Sequence, residues 1–164
     1  MRGVRGARDT LEASVGELVA EGRTSEARAL ETLAGLPLLD GVPLEALRPV
    51  ALEMCESVFP AGTEVMREGD EDGVGFFVVL AGEGDVFVGA QHVRIVRAGD
   101  HFGELAAIDG GPRAATVRAR TELRCLIVTD AAFHELVHDH PSAAWKLLLH
   151  FAGIVRAQIA RGAA

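Results

Sequence analysis

The sequence predicts a mainly β domain with flanking α: an eight-stranded jelly-roll β-barrel with N-terminal helices before it and two C-terminal helices after it. Three observations carry that expectation. Between Ser57 and Val128, short apolar runs alternate with Gly and Asp turns, the pattern of antiparallel strands. Before and after that stretch, apolar residues recur at three- and four-residue spacing instead, which is helical. Hydrophobic residues make up 49% of the 164 residues, ample for a packed core.

Taken in order, residues 1–8 are basic, and Asp9 with Glu12 forms a capping-box pattern. Leu11, Val15, Leu18 and Val19 follow at helical spacing until Gly22. A second helix over 25–34 carries Leu30 and Leu33 and is closed by Gly35 and Pro37. Residues 1–36 read as an N-terminal helical segment and 37–164 as the main domain. A third helix runs from Pro43 towards Cys55, and Pro49 within it predicts a kink or two short pieces. Strands are expected at 57–59, 63–67, 75–81, 84–89, 92–97, 101–103, 115–119 and 123–128. The turns between them are Pro60-Ala61-Gly62, Glu68-Gly69-Asp70, Gly82-Glu83-Gly84 and Ala98-Gly99-Asp100. Eight such strands suggest the jelly roll.

Asp130 reads as the N-cap of a helix to His138, and His140-Pro141 separates it from a last helix over 142–160. On that last helix Trp145, Leu147, Leu148, Leu149, Phe151, Ile154, Val155 and Ile159 cover more than half of the circumference. A surface helix needs an apolar stripe of only about 100°. The excess predicts two buried faces, one against the barrel and one against a second copy of the chain. Trp145 is expected to pack in the core.

The net charge of −8, with 16 Lys plus Arg, argues against a nucleic-acid surface. The longest apolar stretches, Phe76 to Ala81 and Leu147-Leu148-Leu149, fall far short of the ~20 residues of a membrane span. Arg2, Arg5 and Arg8 precede no apolar block, so no signal peptide is expected and a cytoplasmic location follows. Cys55, expected on a helix, and Cys125, on a strand, sit in apolar contexts as buried reduced thiols. Six histidines raise metal binding, but His134-Glu135 with His138 is not a His-Glu-x-x-His motif, and no His-x-His precedes His101 as a cupin enzyme requires. No Ser, His and Asp arrangement matches a nucleophile motif. No metal and no enzyme are expected.

The chemistry concentrates in 99–117. Gly103 permits close backbone approach. Glu104 to Ile108 makes one helical turn, stopped by Gly110-Gly111-Pro112. Free N–H groups at the start of that turn suit an anion. Arg113 adds a guanidinium fork that matches a phosphate, and Glu104 adds carboxylate oxygens that accept from a sugar hydroxyl. Together they describe a sugar-phosphate site.

Phe102-Gly103-Glu104-Leu105-Ala106 followed by Pro112-Arg113-Ala114-Ala115-Thr116-Val117 resembles the phosphate-binding cassette of the cyclic nucleotide-binding domain family. The resemblance extends from about Leu36 to Ile159. It implies a cyclic nucleotide ligand, with Gly103, Leu105 and Ala106 along the phosphate cradle and backbone N–H groups there and at Ala115 as donors. It also implies Glu104 on the ribose 2′-hydroxyl and Arg113 on the cyclic phosphate. Ala114 stands where cGMP-selective members carry Thr, which leans the choice to cAMP over cGMP. Gln158 falls where the long helix of some members meets adenine, and an amide can pair with a purine edge. The resemblance further implies a regulatory sensor domain whose last helix reports occupancy. Homodimerisation through that helix and an effector domain or protein outside this chain complete the picture, since a DNA-binding helix-turn-helix would need many more residues. The alternatives are a ligand-free dimerisation module of the same fold and a cupin-like enzyme.

Overall fold

The computed structural model describes residues 26–162. The helix expected over 9–22 lies outside them. Helix α1 (Glu26–Ala34), a 3-10 turn (Pro37–Leu39) and α2 (Leu44–Glu53) lead into eight strands. These are β1 (Cys55–Phe59), β2 (Glu64–Met66), β3 (Gly75–Ala81), β4 (Gly84–Val88), β5 (Gln91–Val96), β6 (His101–Phe102), β7 (Thr116–Ala119) and β8 (Leu123–Thr129). Helix α3 (Glu104–Asp109) interrupts them between β6 and β7, and α4 (Asp130–Asp139) and α5 (Pro141–Gly162) follow.

The strands form two antiparallel four-stranded sheets, ordered β1-β8-β3-β6 and β2-β7-β4-β5. This corrects the expectation of a closed barrel: among the described residues no strand pairing joins the sheets, which face each other as a roll. Contact between them is made by side chains. Phe77, Val79, Val86, Val96, Phe102, Val117, Cys125 and Ile127 fill the space between the sheets. The alternate residues Phe76, Val78, Leu126 and Val128 face the other way, under Leu33, Leu47, Phe133, Leu136 and Leu147 of the helices. Both faces of β3 are therefore covered, and this is why Phe76 to Leu80 reads as an unbroken apolar run rather than an alternating one. Cys55 and Cys125 are free and buried, and burial pushes the Cys125 thiol up to about 12.

Four local expectations are corrected. Helix α2 is a single element with Pro49 inside it, not two short pieces. Pro49 lies on its exposed side, where water can reach the carbonyl that the missing N–H leaves open. Cys55 opens β1 instead of ending a helix. Thr129, not Asp130, caps α4, its side-chain oxygen accepting from the Ala132 N–H at 3.2 Å. Trp145 is 60% exposed and lies outside both cores. On α5 only Ala143 and Leu147 are buried, with Phe151 packed at the edge; from Ala152 onward every described residue is exposed. The broad apolar arc thus meets the rest of the chain only along its first half.

Candidate functional site

Segment 99–117 carries its chemistry on α3 and the loop after it. Gly103 caps α3 at φ +87°, a left-handed conformation that a side chain resists. A Cβ there would also stand 2.8 Å from Nη1 of Arg113 and 3.2 Å from the Met66 sulfur. At the other end Gly110, again left-handed, returns its N–H to the Ala106 carbonyl at 2.9 Å, so the helix stops after six residues.

Arg113 is the only charged side chain that is buried among the described residues, at 5% exposure. Its Nη1 donates to the Gly103 carbonyl at 2.8 Å and its Nη2 to the Gly75 carbonyl at 2.6 Å. The guanidinium therefore ties the start of α3 to the start of β3. Its own backbone is held as firmly: the Arg113 N–H donates to the Asp70 carbonyl, and the Gly69 N–H donates to the Arg113 carbonyl, both at 2.8 Å. Burial lowers the guanidinium's pKa, while Asp130, Asp70 and Glu104 act through space to hold the charge. Three carboxylates thus share the surroundings of one buried cation. Burial also raises the Asp130 carboxyl, against the pull of Arg113 and His134, and its Oδ1 is buried without a hydrogen-bond partner.

The remaining expected residues fall into three groups. Glu104 lies at the N-terminus of α3 with 18% of its side chain exposed, near enough to Arg113 to act on its charge. Leu105 is half exposed, Ala106 and Ala115 are partly covered, and Ala114 is exposed on the loop. Phe102 and Val117 belong to the core between the sheets, and Phe102 stacks on Phe77 with ring centroids 4.9 Å apart. They support the segment from beneath. Gln158 stands apart, exposed on the half of α5 that nothing in the described chain covers.

Several residues escaped the sequence reading. Asp70 and Gly69 hold the Arg113 backbone, and Gly73 and Gly75 lie against its guanidinium. His134 Nε2 donates to the Ala107 carbonyl at 2.6 Å and locks α3 to α4. The Gly73-Val74-Gly75 spacing signals a close approach, but nothing in it names what approaches. An open apolar groove of about 570 Å³ runs beside α3, lined by Ile108, Phe133, Val137, Leu147 and Phe151 among others; it includes neither Glu104 nor Arg113. Among the described residues no cluster of three or more His, Cys, Asp or Glu could hold a metal ion, and no helix is long and apolar enough to cross a membrane.

The model of the cyclic nucleotide-binding domain matches residues 56–140, more than half of the chain. The chain belongs to that family. It is similar to the cAMP-dependent protein kinase regulatory subunit of Pyricularia oryzae, 32% identical over 123 residues, which cover 73% of this chain and 31% of the relative. It therefore spans less than a third of that relative's length. Among solved structures it is similar in fold to the catabolite activator protein of Thermus thermophilus, with a TM-score of 0.65 and 22% identity over 76% of this chain and 61% of that one. It is equally similar in fold to the regulatory subunit of a cAMP-independent protein kinase A from Trypanosoma cruzi bound to guanosine, with a TM-score of 0.64 and 23% identity over 68% and 40% of the two chains. A fold that holds a guanosine in one member does not itself name the ligand of another; the side chains of the cassette must.

Proposed function

We propose that this chain binds cAMP, with cGMP as a weaker ligand, and reports its occupancy through α5. The observation that carries the reading is Arg113: a buried guanidinium fixed at the start of α3, where a cyclic phosphate would meet it together with the backbone N–H groups of Gly103, Leu105, Ala106 and Ala115. A neutral nucleoside offers no charge to a buried cation, so Arg113 favours a phosphate-bearing ligand over the guanosine of the Trypanosoma cruzi structure. Glu104, beside it, accepts from the ribose 2′-hydroxyl. Ala114 offers no hydroxyl to a guanine amino group, which gives cAMP its advantage.

The exposed arc of α5 supports a homodimer. Trp145, Leu148, Leu149, Val155 and Ile159 are all more than half exposed on one helix, and a second copy of α5 would cover them. In such an assembly, or after α5 repacks on the ligand, Gln158 meets the purine edge. The effector is a domain or protein beyond these residues, and the two buried free thiols fit a reducing cytoplasm.

Titration calorimetry with cAMP and cGMP tests the reading. Removing one partner of a buried charge pair costs ~2–5 kcal/mol, so Arg113→Ala should weaken cAMP roughly thirtyfold or more. Equal affinity of wild type and Arg113→Ala, or a clear preference for guanosine over both cyclic nucleotides, refutes it.

A further inference from the structure

Three residues before Glu104, His101 occupies the outward position of β6. Its neighbour Phe102 points between the sheets, while the His101 ring meets the edge of Phe76 on the helix-facing side, with centroids 6.5 Å apart at 72°. Nε2 of His101 lies 3.8 Å from Oε1 of Glu104, and the two side chains are only 16% and 18% exposed. Four charged or titratable groups face this imidazole. Glu104 comes from α3 and Asp100 from the preceding turn. Arg94 of β5 also donates from Nη2 to the His101 carbonyl at 3.1 Å, and His150 projects from α5. Burial holds the imidazole below its ordinary value of 6.5; Glu104 and Asp100 oppose that, and Arg94 and His150 add to it.

We propose that His101 is a positioning residue that, when protonated, competes with the ligand's sugar hydroxyl for the Glu104 carboxylate, so that affinity for a cyclic nucleotide falls on acidification. The inference rests on Glu104 as the hydroxyl acceptor. A neutral imidazole leaves the carboxylate to the sugar. A protonated one, at this distance and burial, forms an ion pair with it. Ligand that draws Glu104 away removes the partner that favours the imidazolium, so the bound state holds that proton less tightly than the free state. By linkage, the form without the proton binds ligand better. Affinity is therefore flat above the free-state pKa of His101 and declines below it, by at most about tenfold per pH unit for a single proton. Because burial dominates, the window lies on the acid side of 6.5.

The test is calorimetry of the full chain at pH ~7.5 and ~5.5 with cAMP and with 2′-deoxy-cAMP, for wild type and His101→Gln. The other histidines contribute any background slope equally to both ligands, so the difference between the ligands isolates Glu104. The expected result is a larger loss for cAMP than for the deoxy analogue on acidification of the wild type, and no such difference in His101→Gln. The same slope for both ligands in wild type overturns the inference without needing any variant to fold, and so does a slope that His101→Gln retains. A wild type that fails to bind cAMP at pH ~7.5 overturns the site reading itself and this inference with it. Binding that Glu104→Gln weakens, but that shows no ligand-dependent slope, overturns the role of His101 alone.

Discussion

Replacing Gly73 with alanine places a methyl group where the Arg113 guanidinium lies. The three heavy atoms nearest the new Cβ all belong to that one side chain: Nη2 at 2.2 Å, Cζ at 2.6 Å and Nε at 2.8 Å. Ordinary contact begins at 3.4 Å, so the guanidinium must retreat by about 1.2 Å. The end of an arginine normally yields cheaply, but this one is buried and donates to Gly75 at 2.6 Å and Gly103 at 2.8 Å. A retreat of that size takes both bonds beyond useful length. The alternative, withdrawal of the Gly73 loop, strains the paired bonds of Gly69 and Asp70 to the Arg113 backbone. Each bond to a charged donor contributes ~1.5–3 kcal/mol. A fork displaced by that distance no longer matches the phosphate, and Gly73→Ala should weaken cAMP at least about tenfold, or ~1.4 kcal/mol, without touching a residue assigned to the ligand. Calorimetry measures the loss, and thermal melting reports the accompanying drop in stability. The decisive comparison is a double-mutant cycle: with Arg113 already alanine, Gly73→Ala has nothing left to displace and should cost nothing further. Unchanged affinity in the single variant, or losses that add in the double variant, refute the reasoning.

Other expectations follow from the same geometry. Ala114→Thr should improve cGMP relative to cAMP in competition binding; a wild type that already prefers cGMP contradicts the assignment. Light scattering at tens of micromolar should find a dimer, and Leu148→Glu with Val155→Glu on the exposed arc of α5 should return it to monomer; a wild type that is monomeric with and without nucleotide removes that interface. Asp130→Asn replaces a carboxylate whose pKa burial raises. A raised carboxyl pKa means the folded state resists the charged form, a cost present at neutral pH and relieved on acidification. The variant should therefore melt higher than wild type at neutral pH, with the gap closing as pH falls into the carboxylate range. It should also bind cAMP severalfold more tightly, since one anion near Arg113 is gone; a lower melting point at neutral pH overturns this.

The strands and their turns were legible because their signals are local. Apolar runs cut by Gly-Asp turns placed all eight strands within a few residues, and Gly103 and Gly110 marked both ends of the six-residue helix α3. The two halves of the cassette were legible for the same reason: a short turn and an arginine lie within one stretch of chain. The sequence determined this much by itself, since local conformational preference and side-chain chemistry need no knowledge of neighbours. It misplaced Trp145 in the core, because helical periodicity measures how much surface is apolar and not what arrives to cover it. Closure of the sheets was likewise beyond it, because strand order is set by pairings such as β8 between β1 and β3, made across many residues of chain. Only the tertiary structure brought Gly73, Gly75 and Asp70 against Arg113, and His101 against Glu104 on a face shared with His150. The physical reason is that burial and field at a charged group come from residues distant in sequence. Composition can say that an arginine is present, but only the packed fold decides that it is buried and what holds it.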